Sequence, residues 1–259
     1  MSRPLTTALV LAAQRDGTID PLAAAMGVSH KCLVPLAGRP LILHVLEALL
    51  AAPRIGEIRI SIDDPAILAG IVDPRITLVR SSPNLVDSVI AGLAGAAWPV
   101  LVTTADNALL TPAAIAQIQR DAAGADVAVA FTRRESVLAA HPDGQRRFYT
   151  FSEGGYSNCN AYWIASADAL GAAEVFRQGG QFAKHPGRIV KAFGLVNLIR
   201  FRFGIGSLDA AFARFSRRFG RLLRPVVLED GAVAIDVDNV RTHGIAEELL
   251  LARTEKLAA

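Results

Sequence analysis

Between Ala8 and Phe131 the chain alternates short, wholly apolar runs with segments whose apolar residues recur at helical spacing. That alternation restricts its fold more than any other feature. Ala8–Ala13 (ALVLAA) predicts a strand buried on both faces, as in a parallel sheet. Pro40–Ala52 (PLILHVLEALLAA) has helical periodicity, with its proline in the first turn, where the missing N–H does no harm. Glu57–Ile62 predicts a strand, followed by a short helix near Pro65–Ile71. Ile76–Val79 predicts a third strand, Leu85–Ala97 a helix, Pro99–Thr104 a fourth strand, Pro112–Ala123 a helix and Asp126–Phe131 a fifth strand. Strands alternating with helices of this length predict an α/β, Rossmann-like, doubly wound and mostly parallel sheet. Such sheets take their ligands beyond the carboxyl ends of the strands, so the informative residues lie just after Ala13 and just after Thr104.

Beyond Phe131 the rhythm changes. A polar, glycine-rich stretch from Arg133 to Gly155 leads to a further strand at Cys159–Ala165. Helices are expected near Pro186–Phe201 and Ser207–Phe219, strands at Pro225–Leu228 and Ala232–Val237, and an amphipathic helix from Val240 to Lys256. No internal repeat interrupts this order, and the whole chain, 1–259, reads as one domain with an inserted segment at 177–224. At 52% hydrophobic and 20% charged residues, the chain is too apolar to be disordered. Two cysteines give no disulfide framework. The apolar start, Leu5–Ala13, runs directly into Gln14-Arg15-Asp16 and has no cleavage site of a signal peptide. No run reaches the ~18 apolar residues that span a bilayer. A cytoplasmic protein is expected.

The net charge of +3 hides an uneven distribution. Eleven of the 27 basic residues and one of the 24 acids fall within 177–224, so this segment carries about +10 and the remainder about −7. Seven of the eleven phenylalanines lie there too. Three readings compete. The segment is a helical insertion with phenylalanines inward and arginines solvated, or a surface for a phosphate-rich acceptor or nucleic acid, or an amphipathic pair resting on anionic lipid, which would place the protein peripherally on the inner face of the membrane. Nucleic acid is disfavoured because no nucleic-acid-binding motif accompanies the charge.

The loop after the first strand contains Arg15, Gly17, Gly27 and Lys31, followed by a tight turn at Ala37-Gly38-Arg39-Pro40. Backbone N–H groups and cations at the end of a strand can cradle a polyphosphate. An ordinary loop with solvated charges has the same composition. A second cluster, Thr103–Pro112, sets Asp106 directly after a buried strand, where a carboxylate is costly unless it binds a cation or caps a helix. Thr111 already stands at the cap before Pro112, which leaves Asp106 for another task. The third cluster is Ala234–Asn239, in which Asp236 and Asp238 at strand spacing share a face. Cys32, His44 and Cys159 lie on apolar elements without metal-ligand spacing and are read as core.

From Lys31 to Leu49 the pattern K-x-L-V-P-L-A-G-R-P-L-I-x-H-V-L-E-A-L resembles the opening of MobA-like and sugar-phosphate nucleotidyltransferases. The resemblance spans roughly 5–165 and 225–256 and leaves 177–224 uncovered. It implies a GT-A-like nucleotidyltransferase fold and an Mg²⁺-dependent transfer of NMP from a nucleoside triphosphate to a phosphorylated acceptor, small or lipid-linked. It also implies roles: Ala12, Ala13, Gly17 and Lys31 around the nucleotide, Lys31 and Arg15 in catalysis, Asp106 and Asp238 on the metal, with Asp236 supporting. Residues Asn84–Leu93 are similar to the segment that meets the base, and their D-S-V-x-x-G-L form resembles methylerythritol-phosphate cytidylyltransferases. Ser88 is then expected near the base, with CTP ahead of GTP. Ser157–Tyr162 resembles the strand facing the acceptor, with Asn158 as the acceptor-binding candidate. The family loop LAAGxGxRM is altered here to Leu11-Ala12-Ala13-Gln14-Arg15-Asp16-Gly17, with about five extra residues before Lys31. Two other activities fit the same residues: nucleotide binding without transfer, and NDP-sugar-dependent glycosyl transfer.

Overall fold

The structure is a computed structural model and describes residues 4–14, 18–171, 199–200 and 203–258. Its elements in order are β1 (Thr6–Leu11), α1 (Pro21–Ala25), β2 (Pro35–Leu36), β3 (Arg39–Pro40), α2 (Leu41–Ala51), β4 (Ile55–Ile62), β5 (Ile76–Arg80), α3 (Leu85–Gly92), β6 (Val100–Thr104), α4 (Pro112–Asp121), β7 (Val127–Arg133), α5 (Arg134–Ala140), β8 (Tyr149–Phe151), β9 (Gly154–Ile164), α6 (Ala167–Leu170), α7 (Leu208–Phe219), β10 (Leu223–Leu228) and α8 (Val240–Ala258). Short 3₁₀ turns occupy Lys31–Leu33, Pro65–Leu68 and Gly231–Ala234.

The main sheet runs β10-β7-β9-β6-β1-β4-β5, with β8 paired to β9. β1 is parallel to both β4 and β6, β4 to β5, and β7 to β10. β9 runs antiparallel to both β6 and β7. The chain leaves β1 for β4 and β5 on one side, then returns to β6 on the other. This reversal opens a crevice at the carboxyl ends of β1 and β6, the place where such sheets bind ligands. The fold is therefore the mostly parallel α/β sheet read from the sequence.

Each element follows from its residues. Ala8, Leu9 and Val10 of β1 are wholly buried because helices cover both faces of a central strand. α2 buries Leu41, Ile42, Val45, Leu46 and Leu49, a stripe at helical spacing. Its Pro40 stands at the cap, one position before the first turn. The β2–β3 hairpin turns through Ala37 (φ 47°) and Gly38 (φ 76°), two consecutive left-handed residues as a tight two-residue hairpin requires. Thr111 caps α4 by accepting from the Ala114 N–H at 3.1 Å.

One expected strand is absent. Residues 232–237 pair with no neighbour along their length: Gly231–Ala234 form a 3₁₀ turn, capped by Asp230, which accepts from the Ala232 N–H at 3.0 Å. Ala232, Val233, Ala234, Ile235 and Val237 are all buried. Burial on every side gives the same apolar run as a central strand, and the pattern cannot distinguish the two. Val237 N–H donates to Asp106 O at 3.1 Å, which fixes this segment against the loop after β6.

Part of the basic segment is described. α7 turns Leu208, Ala211 and Phe212 inward and leaves Arg217 and Arg218 exposed. Phe212 packs edge-on against Phe131 at 5.8 Å between centroids, in a cluster with Phe151 and Tyr156. The helix expected near Pro186–Phe201 lies outside the described residues, apart from 199–200. No helix among the described residues is long and apolar enough to cross a membrane.

Candidate active site

The segment after β1 is held open by the end of β4. Ala12 N–H donates to Ser61 O at 2.9 Å and Gln14 N–H to Asp63 Oδ1 at 3.2 Å. The other oxygen of Asp63 meets His30 Nε2 at 3.1 Å, and Gln14 Nε2 donates to Ser29 O at 3.0 Å. These contacts tie both ends of the loop to one carboxylate and start the 3₁₀ turn at Lys31. Arg15 and Gly17, expected at the nucleotide, lie outside the described residues.

Lys31 Nζ reaches Asp106 Oδ2 at 2.5 Å and Asp238 Oδ1 at 2.6 Å. Asp106 is set by β6, whose next residue Ala105 donates its N–H to Leu11 O at 3.0 Å. Asp238 is set by the start of α8. There the Asn239 N–H donates to Thr242 Oγ1 and the Thr242 N–H donates back to Asn239 Oδ1, a reciprocal cap. Burial works against the charge of Lys31, but Asp106 and then Asp238 outweigh it and hold the ammonium protonated well above its ordinary range. Asp106 Oδ1 is buried with no hydrogen-bond partner among the described residues. An orphaned carboxylate oxygen beside a second carboxylate is suited to a divalent cation. Among the described residues no three His, Cys, Asp or Glu side chains are grouped so as to hold a metal ion.

Asp236 does not share an exposed strand face with Asp238. It is buried, while Asp238 is largely exposed. Asp236 Oδ2 accepts from Asn160 Nδ2 at 2.8 Å, and its Oδ1 has no partner among the described residues. Burial first, and the negative charges of Asp106 and Asp238 next, push its carboxyl well above the usual range.

A cavity of about 420 Å³ opens on one side of this charged group, lined by Leu11, Ala12, Ala13, Thr18, Lys31 and Asp106 among others. It occupies the crevice at the ends of β1 and β6. Leu85 lines it, whereas Ser88 does not. Ser88 is buried, accepts from the Ser82 N–H at 2.9 Å and reaches Ser82 O and Asn84 O at 2.9 Å each, so it shapes the loop before α3. A second cavity, about 330 Å³, is lined by Arg147, Tyr149, Ser157, Asn158, Asn160 and Asp236 among others. Asn158 is thus in a cavity, apart from Lys31 and Asp106.

Sequence reasoning missed several members of this arrangement. Asn107 is wholly buried and donates to Cys159 O at 2.8 Å, joining the Asp106 loop to β9. The pairing of Asp63 with His30 and the place of Arg147 at the second cavity depend on contacts between distant segments, which no local motif signals. Asn160 adopts φ 45°, a left-handed conformation that asparagine tolerates better than most residues.

Comparison with known proteins identifies the family and the fold. A sequence model of the MobA-like NTP transferase domain matches residues 8–181. Among curated protein sequences none matches. The chain is similar to a hypothetical transferase from Thermus thermophilus, with a TM-score of 0.80 and 26% identity, covering 92% of this chain and 99% of that one. It shares its fold with a CMP:2-keto-3-deoxy-manno-octonic acid synthetase complexed with CTP (TM-score 0.58, 14% identity, covering 96% and 99%). It also shares its fold with a 4-diphosphocytidyl-2C-methyl-D-erythritol synthase from Anaerococcus prevotii (TM-score 0.59, 13% identity, covering 96% of each).

Proposed function

The chain belongs to the MobA-like NTP transferase family, and from that premise we propose that it moves the NMP group of a nucleoside triphosphate, CTP before GTP, onto a phosphorylated acceptor. The observation that carries this reading is the convergence of Lys31, Asp106 and Asp238, of which Lys31 and Asp106 line the cavity at the ends of β1 and β6. An acceptor phosphate oxygen forms a bond to the α-phosphorus, the bond from that phosphorus to the bridging oxygen breaks, and pyrophosphate leaves with the electron pair. Such a reaction needs positioning and charge neutralisation and no covalent enzyme intermediate.

Lys31 supplies a permanent positive charge beside the cavity of about 420 Å³, where the triphosphate would lie. Ala12 and Ala13 line that cavity, and Arg15 and Gly17 are proposed to complete it. Asp106 and Asp238 would hold Mg²⁺, which fits them because this ion accepts one or two carboxylates and takes its other ligands from phosphate and water. When bound, the ion supplies neutralisation of phosphate charge. Ser88 acts on the base only through the loop it shapes. The preference for CTP draws support from the two structural neighbours whose names contain CTP or a diphosphocytidyl product.

Asn158 and the cavity of about 330 Å³ would receive the acceptor, and 177–224 would help select it as an inserted basic segment. Peripheral contact of that segment with anionic lipid is the companion proposal. Co-sedimentation with anionic and with neutral liposomes tests it, and no binding at low salt removes it. The transferase itself is tested by a pyrophosphate-release screen of the four triphosphates with Mg²⁺ against phosphorylated acceptors. Release with CTP or GTP supports the reading; triphosphate binding with no release from any pair counts against it.

A further inference from the structure

The polypeptide between Gln14 and Ser29 is closed at its neck by a circuit of four hydrogen bonds. Gln14 N–H donates to Asp63 Oδ1 at 3.2 Å, and Asp63 Oδ2 meets His30 Nε2 at 3.1 Å. His30 Nδ1 meets Ser29 Oγ at 3.0 Å, and Gln14 Nε2 donates to Ser29 O at 3.0 Å. Asp63 stands directly after β4, so the circuit hangs from the sheet. Gln14 and Lys31 line the cavity of about 420 Å³, whereas His30 and Asp63 do not. Between Ala23 and Cys32 the one buried residue is His30, at 7% exposure. An apolar side chain would fill that place without partners; an imidazole is costly there unless its nitrogens are bonded. With its proton on Nε2 the imidazole donates to the carboxylate and accepts the serine hydroxyl, so both nitrogens are used. The His30 carbonyl also accepts from the Leu33 N–H at 3.0 Å, which opens the 3₁₀ turn Lys31–Leu33. Among the described residues no side chain caps that turn.

We propose that His30 is a positioning residue for Lys31: anchored to Asp63, it fixes where the chain turns beside the end of β1 and so aims the ammonium at Asp106 and Asp238. The role rests on the transferase reading only for what Lys31 then does to a triphosphate; the aiming itself stands on the circuit of contacts. Lysine is a compact charge on a flexible four-carbon stem, so its own geometry does not direct it. Direction comes from the backbone that carries it. Cys32, Val34 and Leu36, all buried, hold that backbone on one side of Lys31, and on the other side the buried anchor is His30. Asp63 joins His30 to Gln14, so one carboxylate sets the spacing between two cavity-lining residues, Gln14 and Lys31. A misplacement of about 1 Å in such a support costs about a hundredfold in rate.

The test first reads Lys31 without any ligand. The full chain is treated with a limiting dose of acetic anhydride, and mass spectrometry compares acetylation of Lys31 with that of Lys184, Lys191 and Lys256. Only the unprotonated amine reacts; burial opposes the charge of Lys31, but Asp106 and Asp238 hold it protonated. In His30→Ala, Lys31 should react at least about tenfold faster, relative to the other lysines, than in the wild type, the factor for one lost hydrogen bond to a charged group. His30→Gln, whose amide still offers a donor to Asp63 and an acceptor to the Ser29 hydroxyl, should restore most of the protection. Asp63→Ala, at a part-exposed position, should match His30→Ala and decides the matter if that variant does not fold. Turnover is read second. Pyrophosphate release should fall about a hundredfold in His30→Ala. The same change should add nothing to Lys31→Ala, whereas a merely structural role would lower the double variant further. Acetylation of Lys31 at the wild-type rate in folded His30→Ala or Asp63→Ala, or a further loss in the double variant, overturns the proposal and leaves the transferase reading intact. Faster acetylation that glutamine reverses, in a protein that releases no pyrophosphate, sustains the proposal and overturns the transferase reading instead.

Discussion

Lys31 Nζ lies 2.5 Å from Asp106 Oδ2, joining the loop after the first strand to the loop after β6 across 75 residues. The same ammonium donates to Asp238 Oδ1 at 2.6 Å, 207 residues away in sequence. A lysine and a divalent cation would thus compete for one carboxylate pair until phosphate charge draws the lysine away. Two unit charges 4 Å apart exchange about 4 kcal/mol at an effective dielectric of 20, so this competition is strong enough to measure.

Removing the lysine charge should therefore strengthen metal binding in the absence of nucleotide. Lys31→Met is expected to bind Mn²⁺ at least about tenfold more tightly than the wild type, a difference of about 1.4 kcal/mol. Free Mn²⁺ followed by electron paramagnetic resonance gives the affinity directly. Equal affinities would mean that Lys31 does not contend for the carboxylates.

Turnover should respond in the opposite direction. Lys31→Ala is expected to lose about a hundredfold to a thousandfold in pyrophosphate release, the range seen when one preorganised charge-stabilising group is deleted. Asp106→Ala should lose at least as much. Circular dichroism should show both folded, and near-normal turnover in both would remove Lys31 and Asp106 from the reaction.

Nucleotide affinity can be read independently of chemistry. A triphosphate at about 100 times its dissociation constant stabilises a folded protein by about 2.7 kcal/mol. With Mg²⁺, CTP should raise the melting temperature most and GTP next. A flat response to all four triphosphates would exclude the first cavity as their site.

The parallel sheet and the stretch from Lys31 to Leu49 were legible because their information is local: apolar period, a proline beside a helix start, a tight turn at Ala37-Gly38. The two carboxylates Asp106 and Asp238 were legible as types following apolar runs. Their meeting at one ammonium was not, because it depends on contacts across 75 and 207 residues. The error at 232–237 has a similar cause. Burial on all sides gives an apolar run whether or not a neighbouring strand supplies hydrogen bonds. Asp236 consequently looked like a companion of Asp238 on one strand face, whereas it is buried against Asn160.

Both cysteines should be inert in the folded protein. Cys32 is 2% exposed, and burial together with the charge of Asp63 pushes its thiol up to about 12. Cys159 is wholly buried, and burial with the charges of Asp236 and Asp230 raises it as well. Only the thiolate attacks disulfide reagents, so near pH 8 the native protein should react with almost none of an aromatic disulfide, while denaturant releases both thiols. Rapid labelling of a native cysteine would contradict the burial of the 3₁₀ turn at Cys32 or of β9 at Cys159.

Gly231 offers the sharpest test of how the acidic segment is positioned. A methyl group added there would lie 2.0 Å from Ser136 O and 2.5 Å from Val137 N, both backbone atoms of α5 that cannot rotate away. The turn Gly231–Ala234 must shift to admit it, and this turn leads directly to Asp236 and Asp238. Asp230, which caps the turn, also pairs with Arg253 of α8 at 3.0 Å, so the displacement would strain the final helix too. Gly231→Ala should cost at least about 1–3 kcal/mol, the range for overpacking a close-packed site. In whatever fraction remains folded, Mn²⁺ affinity should fall along with stability, because Asp238 moves relative to Asp106. Chemical denaturation with and without Mn²⁺ separates the two effects. A variant as stable as the wild type would show that the 3₁₀ turn does not rest on α5.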